Sequence, residues 1–259
     1  MNRRRDHRPQ PALMTRMLLG IVLAASVAVL PAAPASASVS NPSCGWTTAW
    51  HGPLPTSSSY FDLRWFASQL NDRCRQYYPQ VVQRLASASL PEWHPRDSIT
   101  FVFTWDLGAA ARTSSSTGIV YLDVAWFNAH PHDWGAIMHE LTHVAGNYPG
   151  GQPAFVVEGI ADAVRFYLGG SYQTTGLESP DRARCPSHED YTFGYGCAAA
   201  LLAYVVDVYH QDAVRAVHAL GVRDQGWTYS SELHRLTGKY ASTLWAECLH
   251  YERWCNNGR

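Results

Sequence analysis

The sequence predicts an α+β protein, a small twisted β-sheet followed by a mainly helical remainder. Three observations lead there. Ser98–Thr104 and Ile119–Val124 alternate β-branched and aromatic residues in strand fashion. After them, apolar residues recur at helical spacing in one run after another, beginning with Ile137, Leu141 and Val144. The first of these helical runs carries the string His139-Glu140-Leu141-Thr142-His143, which reads as an active-site helix.

Ahead of the strands, the chain divides into a leader and an extension. The sequence has 259 residues, and Arg3, Arg4, Arg5, Arg8 and Arg16 make its start basic. Met17 to Leu30 is an apolar run of about 14 residues, short of the ~20 that span a bilayer. Ala35-Ser36-Ala37 supplies small residues for cleavage, so residues 1–37 read as a secretory signal peptide. Residues 38–97 read as an N-terminal extension. Its first part, 38–59, is rich in Ser, Pro, Thr and Gly and reads as an extended entry segment. Tyr60 to Ser89 then has helical periodicity, with Pro79 expected to split it into two helices or a kinked pair. Residues 98–259 read as the main domain.

Between the two strands, Gly108 to Gly118 is small and polar and reads as a turn or loop. His130-Pro131-His132 reads as the entry turn of a helix capped by Asp133 and closed by a left-handed Gly146. Four residues make slightly more than one turn, so His139 and His143 project from one side of it. Two imidazoles so placed can each reach one zinc ion at about 2.0–2.1 Å. Glu140, beside the first of them, can face the metal's water without ligating, which suits a general base.

A Gly/Pro loop, 147–153, leads to a second helix from Ala154 to Leu168, ended by Gly169-Gly170. Glu158, Asp162 and Arg165 fall on one face of it. Folded back by the short loop, Glu158 can supply a third zinc ligand and leave a fourth position open, the arrangement of catalytic zinc. Asp162, one turn on, suits the role of accepting the far N–H of a zinc histidine, and Arg165 can steady it. Gly194 to Gln211, Val214 to Leu220, Ser230 to Leu236 and Ser242 to Trp254 read as the remaining helices.

His-Glu-Leu-Thr-His, then Gly-Gly-Gln-Pro, then Glu-Gly-Ile-Ala-Asp-Ala-Val-Arg resembles the plant and bacterial basic secretory protein family of zinc peptidases. The likeness is expected to run from about Ser98 to the C-terminus. The helical region near 60–89 and the six cysteines are not features associated with that family. It implies a zincin-like, gluzincin-type domain in which His139, His143 and Glu158 are metal ligands and Glu140 is the base. Tyr195 matches the family's Gly-Tyr position and can act as an oxyanion donor, with Tyr191 as the alternative.

All six cysteines lie after residue 37, and an even count in an exported chain implies disulfides. Neighbours are expected to pair: Cys44–Cys74, Cys185–Cys197 and Cys248–Cys255. The first 37 residues hold five of the 20 basic side chains and one of the 21 acidic ones, so the rest carries a net charge of −5. That argues against nucleic acid or anionic membrane as partners. The expected protein is therefore a secreted, monomeric, zinc-dependent peptidase acting on protein or peptide. Two other readings stand beside it: a binding or defence protein with a structural zinc site, and a zinc amidase acting on cell-wall peptides.

Overall fold

The computed structural model describes residues 41–168, 190–250 and 255. The expected leader, Cys185 and the loop around it lie outside these. Among the described residues, no helix is long and apolar enough to cross a membrane.

The architecture is α+β. Strands β1 (Ser43–Thr48), β2 (Ser98–Thr104), β3 (Ala111–Ser114) and β4 (Ile119–Asp123) form one sheet of order β1-β2-β4-β3. β1 and β4 flank β2 in parallel, and β3 runs antiparallel to β4. Ile99, Phe101 and Phe103 point into the core from β2, as its alternation predicts. Two strands depart from the sequence reading. β1 arises in the segment expected to be an entry, and β3 in the stretch expected to be a loop. Both are short and polar, and they become strands by pairing with strong neighbours rather than by propensity.

Helix α1 (Phe61–Leu85) connects β1 to β2. It is one element, not two, with Pro79 inside it. Leu63, Phe66, Leu70, Tyr78, Val81, Val82 and Leu85 bury a continuous stripe on both sides of the proline, which holds the two halves in one helix. The Cys44–Cys74 disulfide ties α1 to β1, and Cys248 pairs with Cys255. Cys197 is also disulfide-bonded, while the expected Cys185 partner falls outside the described residues. Such bonds fit an oxidising compartment.

A short helix absent from the sequence reading, α2 (Val124–Ala129), follows β4 directly, capped by Asp123 Oδ1 accepting from Trp126 N at 2.8 Å. Then come α3 (Trp134–Gly146), α4 (Ala154–Tyr167), α5 (Gly194–Tyr209), α6 (Ala213–Val222), α7 (Tyr229–Thr237) and α8 (Ala241–Leu249). Phe66 of α1 stacks on Phe127 of α2 and Trp134 of α3, with centroids 4.4 and 4.7 Å away. α3 is thus held between α1, the sheet and α4, and all its residues but His143 are buried.

Behind the C-terminal end of α3, Tyr148 anchors the following loop. One edge of its ring lies where a Cβ on Gly146 would sit, 2.6 Å away, and the other where a Cβ on Gly221 of α6 would sit, 2.7 Å away. Its hydroxyl lies 2.8 Å from His218 Nδ1. Burial pulls the His218 imidazole down to about 3, so it is neutral and accepts this bond. The unfolded imidazole titrates near 6.5, so it binds a proton that the folded one refuses as pH falls below that value. Lowering the pH from 7 to 5 should therefore cost about 2 kcal/mol at this residue alone. Thermal unfolding of wild type and His218→Phe across that range checks it: the variant's pH dependence should be flatter.

Candidate metal centre

The α3 helix starts where Asp133 Oδ1 accepts from Ala136 N at 3.1 Å, as the sequence predicts. It ends one residue later than predicted. Gly146 is still helical, and the left-handed residue is Asn147, at φ 44°. Gly146 is required for the Tyr148 ring instead.

On the cleft side of α3 and α4, three ligand atoms converge. His139 Nε2 lies 2.9 Å from Glu158 Oε2 and 3.0 Å from His143 Nε2, which itself lies 3.2 Å from Glu158 Oε2. Among the described residues, these three form the group able to hold a metal ion. Ligands at about 2.0–2.1 Å in tetrahedral array stand about 3.3 Å apart, so the triangle is close to the size that zinc needs. Two imidazole nitrogens and one carboxylate oxygen also match the donor set of open, catalytic sites.

The neighbours prepare these donors. Asp162 Oδ1 accepts from His139 Nδ1 at 2.7 Å. A carboxylate cannot donate, so Nδ1 carries a hydrogen, which leaves Nε2 as the nitrogen that can ligate a metal once its own proton is displaced. Burial pushes the His139 imidazolium down, but the Asp162 carboxylate, with help from Glu158 and Glu140, outweighs it and raises the ring to about 10. Burial alone would raise the Glu158 carboxyl; the hydrogen bonds from His139 and His143 hold it well below the usual carboxylate range. Both shifts have one cause, the close approach of imidazoles and carboxylates in a buried site. Arg165 Nη1 stands 3.9 Å from Asp162 Oδ1, and its guanidinium lies over Gly135, where a Cβ would meet Nε at 2.8 Å.

α4 is set at this depth by Gly159. A Cβ there would fall 2.5 Å from Ala198 Cβ, so α4 and α5 approach too closely for a side chain beside Glu158.

Glu140 is buried and lines the same cleft as the triad. Its Oε2 accepts from Thr113 Oγ1 at 2.6 Å. Thr113 belongs to β3, the edge strand, and sequence reasoning missed both. The signal was faint: a four-residue polar strand after a glycine-rich stretch. Ala110 O accepts from Asp123 N at 3.0 Å. Hydrogen-bonded pairs alternate in antiparallel ladders, so Arg112 and Ser114 bond inward to β4, and Ala111 and Thr113 turn their backbone groups outward.

A cleft of about 1700 Å³ brings these parts together, lined by the triad, Glu140, Arg165 and the outer side of β3. His130 and His132 line it too, yet neither joins the triad. His130 is stacked on Trp126 with centroids 4.2 Å apart, and His132 packs against Trp65 at 4.8 Å. Tyr191 packs against Phe155 and Tyr229. Tyr195 stands in the first turn of α5, and its side chain lies outside what is described.

A family model described as a peptidase of plants and bacteria matches residues 61–248. No match was found among curated proteins or among solved structures. The family match covers well over half the chain, which therefore belongs to this peptidase family. The match begins with α1 rather than near Ser98, so the helical region expected to lie outside the resemblance is part of it.

Proposed function

We propose that this member of the family is a secreted zinc-dependent peptidase. One observation supports this most: the converging atoms of His139, His143 and Glu158 stand beside a separate carboxylate, Glu140, that the free edge strand holds in the same cleft.

Zinc held by His139, His143 and Glu158 would acidify a water and polarise the scissile carbonyl. Glu140 takes the proton of the attacking water and returns it to the leaving amine. Thr113 fixes the direction of that carboxylate by donating to Oε2. Asp162 keeps His139 in the tautomer that offers Nε2, and Arg165 lies beside Asp162. The outward backbone groups of Ala111 and Thr113 pair with an extended substrate as an added strand. Tyr195 donates to the oxyanion that develops on the carbonyl. The leader at residues 1–37 directs export and is removed after Ala37.

Incubating the secreted chain with casein and with peptidoglycan, each with and without chelator, tests this reading. Casein cleavage that the chelator abolishes is expected. Cleavage of peptidoglycan alone would favour the amidase, and cleavage of neither the binding protein. Two variants refine it. Thr113→Val keeps the shape of the side chain but leaves Glu140 unguided, so turnover should drop about tenfold with zinc content unchanged. Tyr195→Phe should lose ~10²–10³ in turnover while keeping zinc and melting temperature. Full activity in Tyr195→Phe with a crippled Tyr191→Phe would move the role to Tyr191.

A further inference from the structure

The cleft has a wall that the chemistry does not use. Trp126 and His130, both exposed, line it beyond the N-terminal end of α3. Their rings lie 4.2 Å apart and 26° from parallel. Each is fixed from behind. Trp126 Nε1 donates to Asp133 Oδ2 at 3.0 Å, and His130 Nδ1 lies 3.1 Å from Trp126 O. Asp133 caps α3 with its other oxygen. The aromatic wall is therefore rigidly joined to the helix that carries Glu140. Neither ring belongs to the buried core, although tryptophan is highly buried on average.

Its place along the cleft follows from helix geometry. Asp133 to Glu140 is seven residues, or about 10 Å at 1.5 Å per residue. An extended peptide covers that in about three residues. Direction follows from β3. Its Ala110–Ala111 end adjoins Asp123 and α2, and its Ser114 end adjoins Gly118. A substrate added antiparallel to β3 runs the other way, so its C-terminal part reaches Trp126.

We propose that Trp126 and His130 form a subsite for a large apolar or aromatic side chain about three residues to the C-terminal side of the cleaved bond. This rests on the peptidase reading above. Preorganised aromatic faces prefer rings and branched alkyl groups.

The test uses the zinc-loaded secreted chain and internally quenched peptides of one frame, varied one position at a time. At the third position after the cleaved bond, Phe should exceed Ala about tenfold in kcat/KM, mainly through KM. Trp126→Ala should bring that ratio near one, and Trp126→Phe should keep most of it. Fluorescence anisotropy with the metal-free chain gives a second readout, in which a Phe-bearing peptide should bind several-fold more tightly than its Ala counterpart. A flat wild-type profile at that position, a preference there for Arg or Asp, equal binding of the two peptides, or a ratio untouched in Trp126→Ala would each overturn the subsite and leave the peptidase reading standing. No hydrolysis of any peptide by wild type would overturn both.

Discussion

Glu140→Gln is expected to bind zinc as wild type does and to hydrolyse peptides at least a hundredfold more slowly. The three converging ligand atoms belong to other residues, and the Glu140 carboxylate is hydrogen-bonded to Thr113 instead. The amide keeps the volume of the buried side chain, and its oxygen still accepts from the Thr113 hydroxyl. What it loses is the capacity to take a proton, and a positioned base contributes typically ~10²–10⁴ in rate. Zinc per chain by elemental analysis, melting temperature and peptide turnover, measured side by side, decide the matter. Wild-type turnover in the variant would mean that the activity belongs to another site.

Glu158→Ala is expected to lose the metal altogether at zinc concentrations where His130→Ala and His132→Ala retain it. The carboxylate oxygen sits between two imidazole nitrogens, at 2.9 and 3.2 Å, and removing it leaves a two-ligand site. His130 and His132 are engaged in ring contacts on the wall of the cleft and contribute no ligand atom. Asp162→Asn should fall between these extremes, because loss of a partner behind a ligand typically weakens metal binding ~10–100-fold. Equilibrium dialysis against graded zinc would rank the four variants. A Glu158→Ala chain as zinc-rich as wild type would defeat the assignment.

Much of this was legible in the sequence because the decisive contacts are local. His139 and His143 are four residues apart on one helix, and Glu158 lies on the helix after a seven-residue loop, so periodicity alone puts them on facing surfaces. The strand β2 was legible for the same reason, its alternation being unbroken over seven residues. What escaped was non-local or context-driven. The Ala111–Ser114 strand has no apolar alternation, and only its register against β4 makes it a strand. Helix α2 is six residues long, too short to show a period, and depends on the Asp123 cap. Pro79 reads locally as a break, yet the buried stripe on both sides of it overrides the missing hydrogen bond. Thr113 could not be found as the partner of Glu140 without knowing that strand and helix meet.

The Tyr148 ring, gripped between Gly146 and Gly221, carries a consequence for how this family can vary. The two glycines lie on different helices, 75 positions apart, and share one tenant. Neither can gain even a methyl group while the phenol ring stays. A relative with alanine at either position should therefore have a smaller side chain in place of the tyrosine. The three positions should change together or not at all. The same coupling makes α6, which contributes nothing to the triad, a place where a substitution such as Gly221→Ala reaches α3 three residues beyond His143.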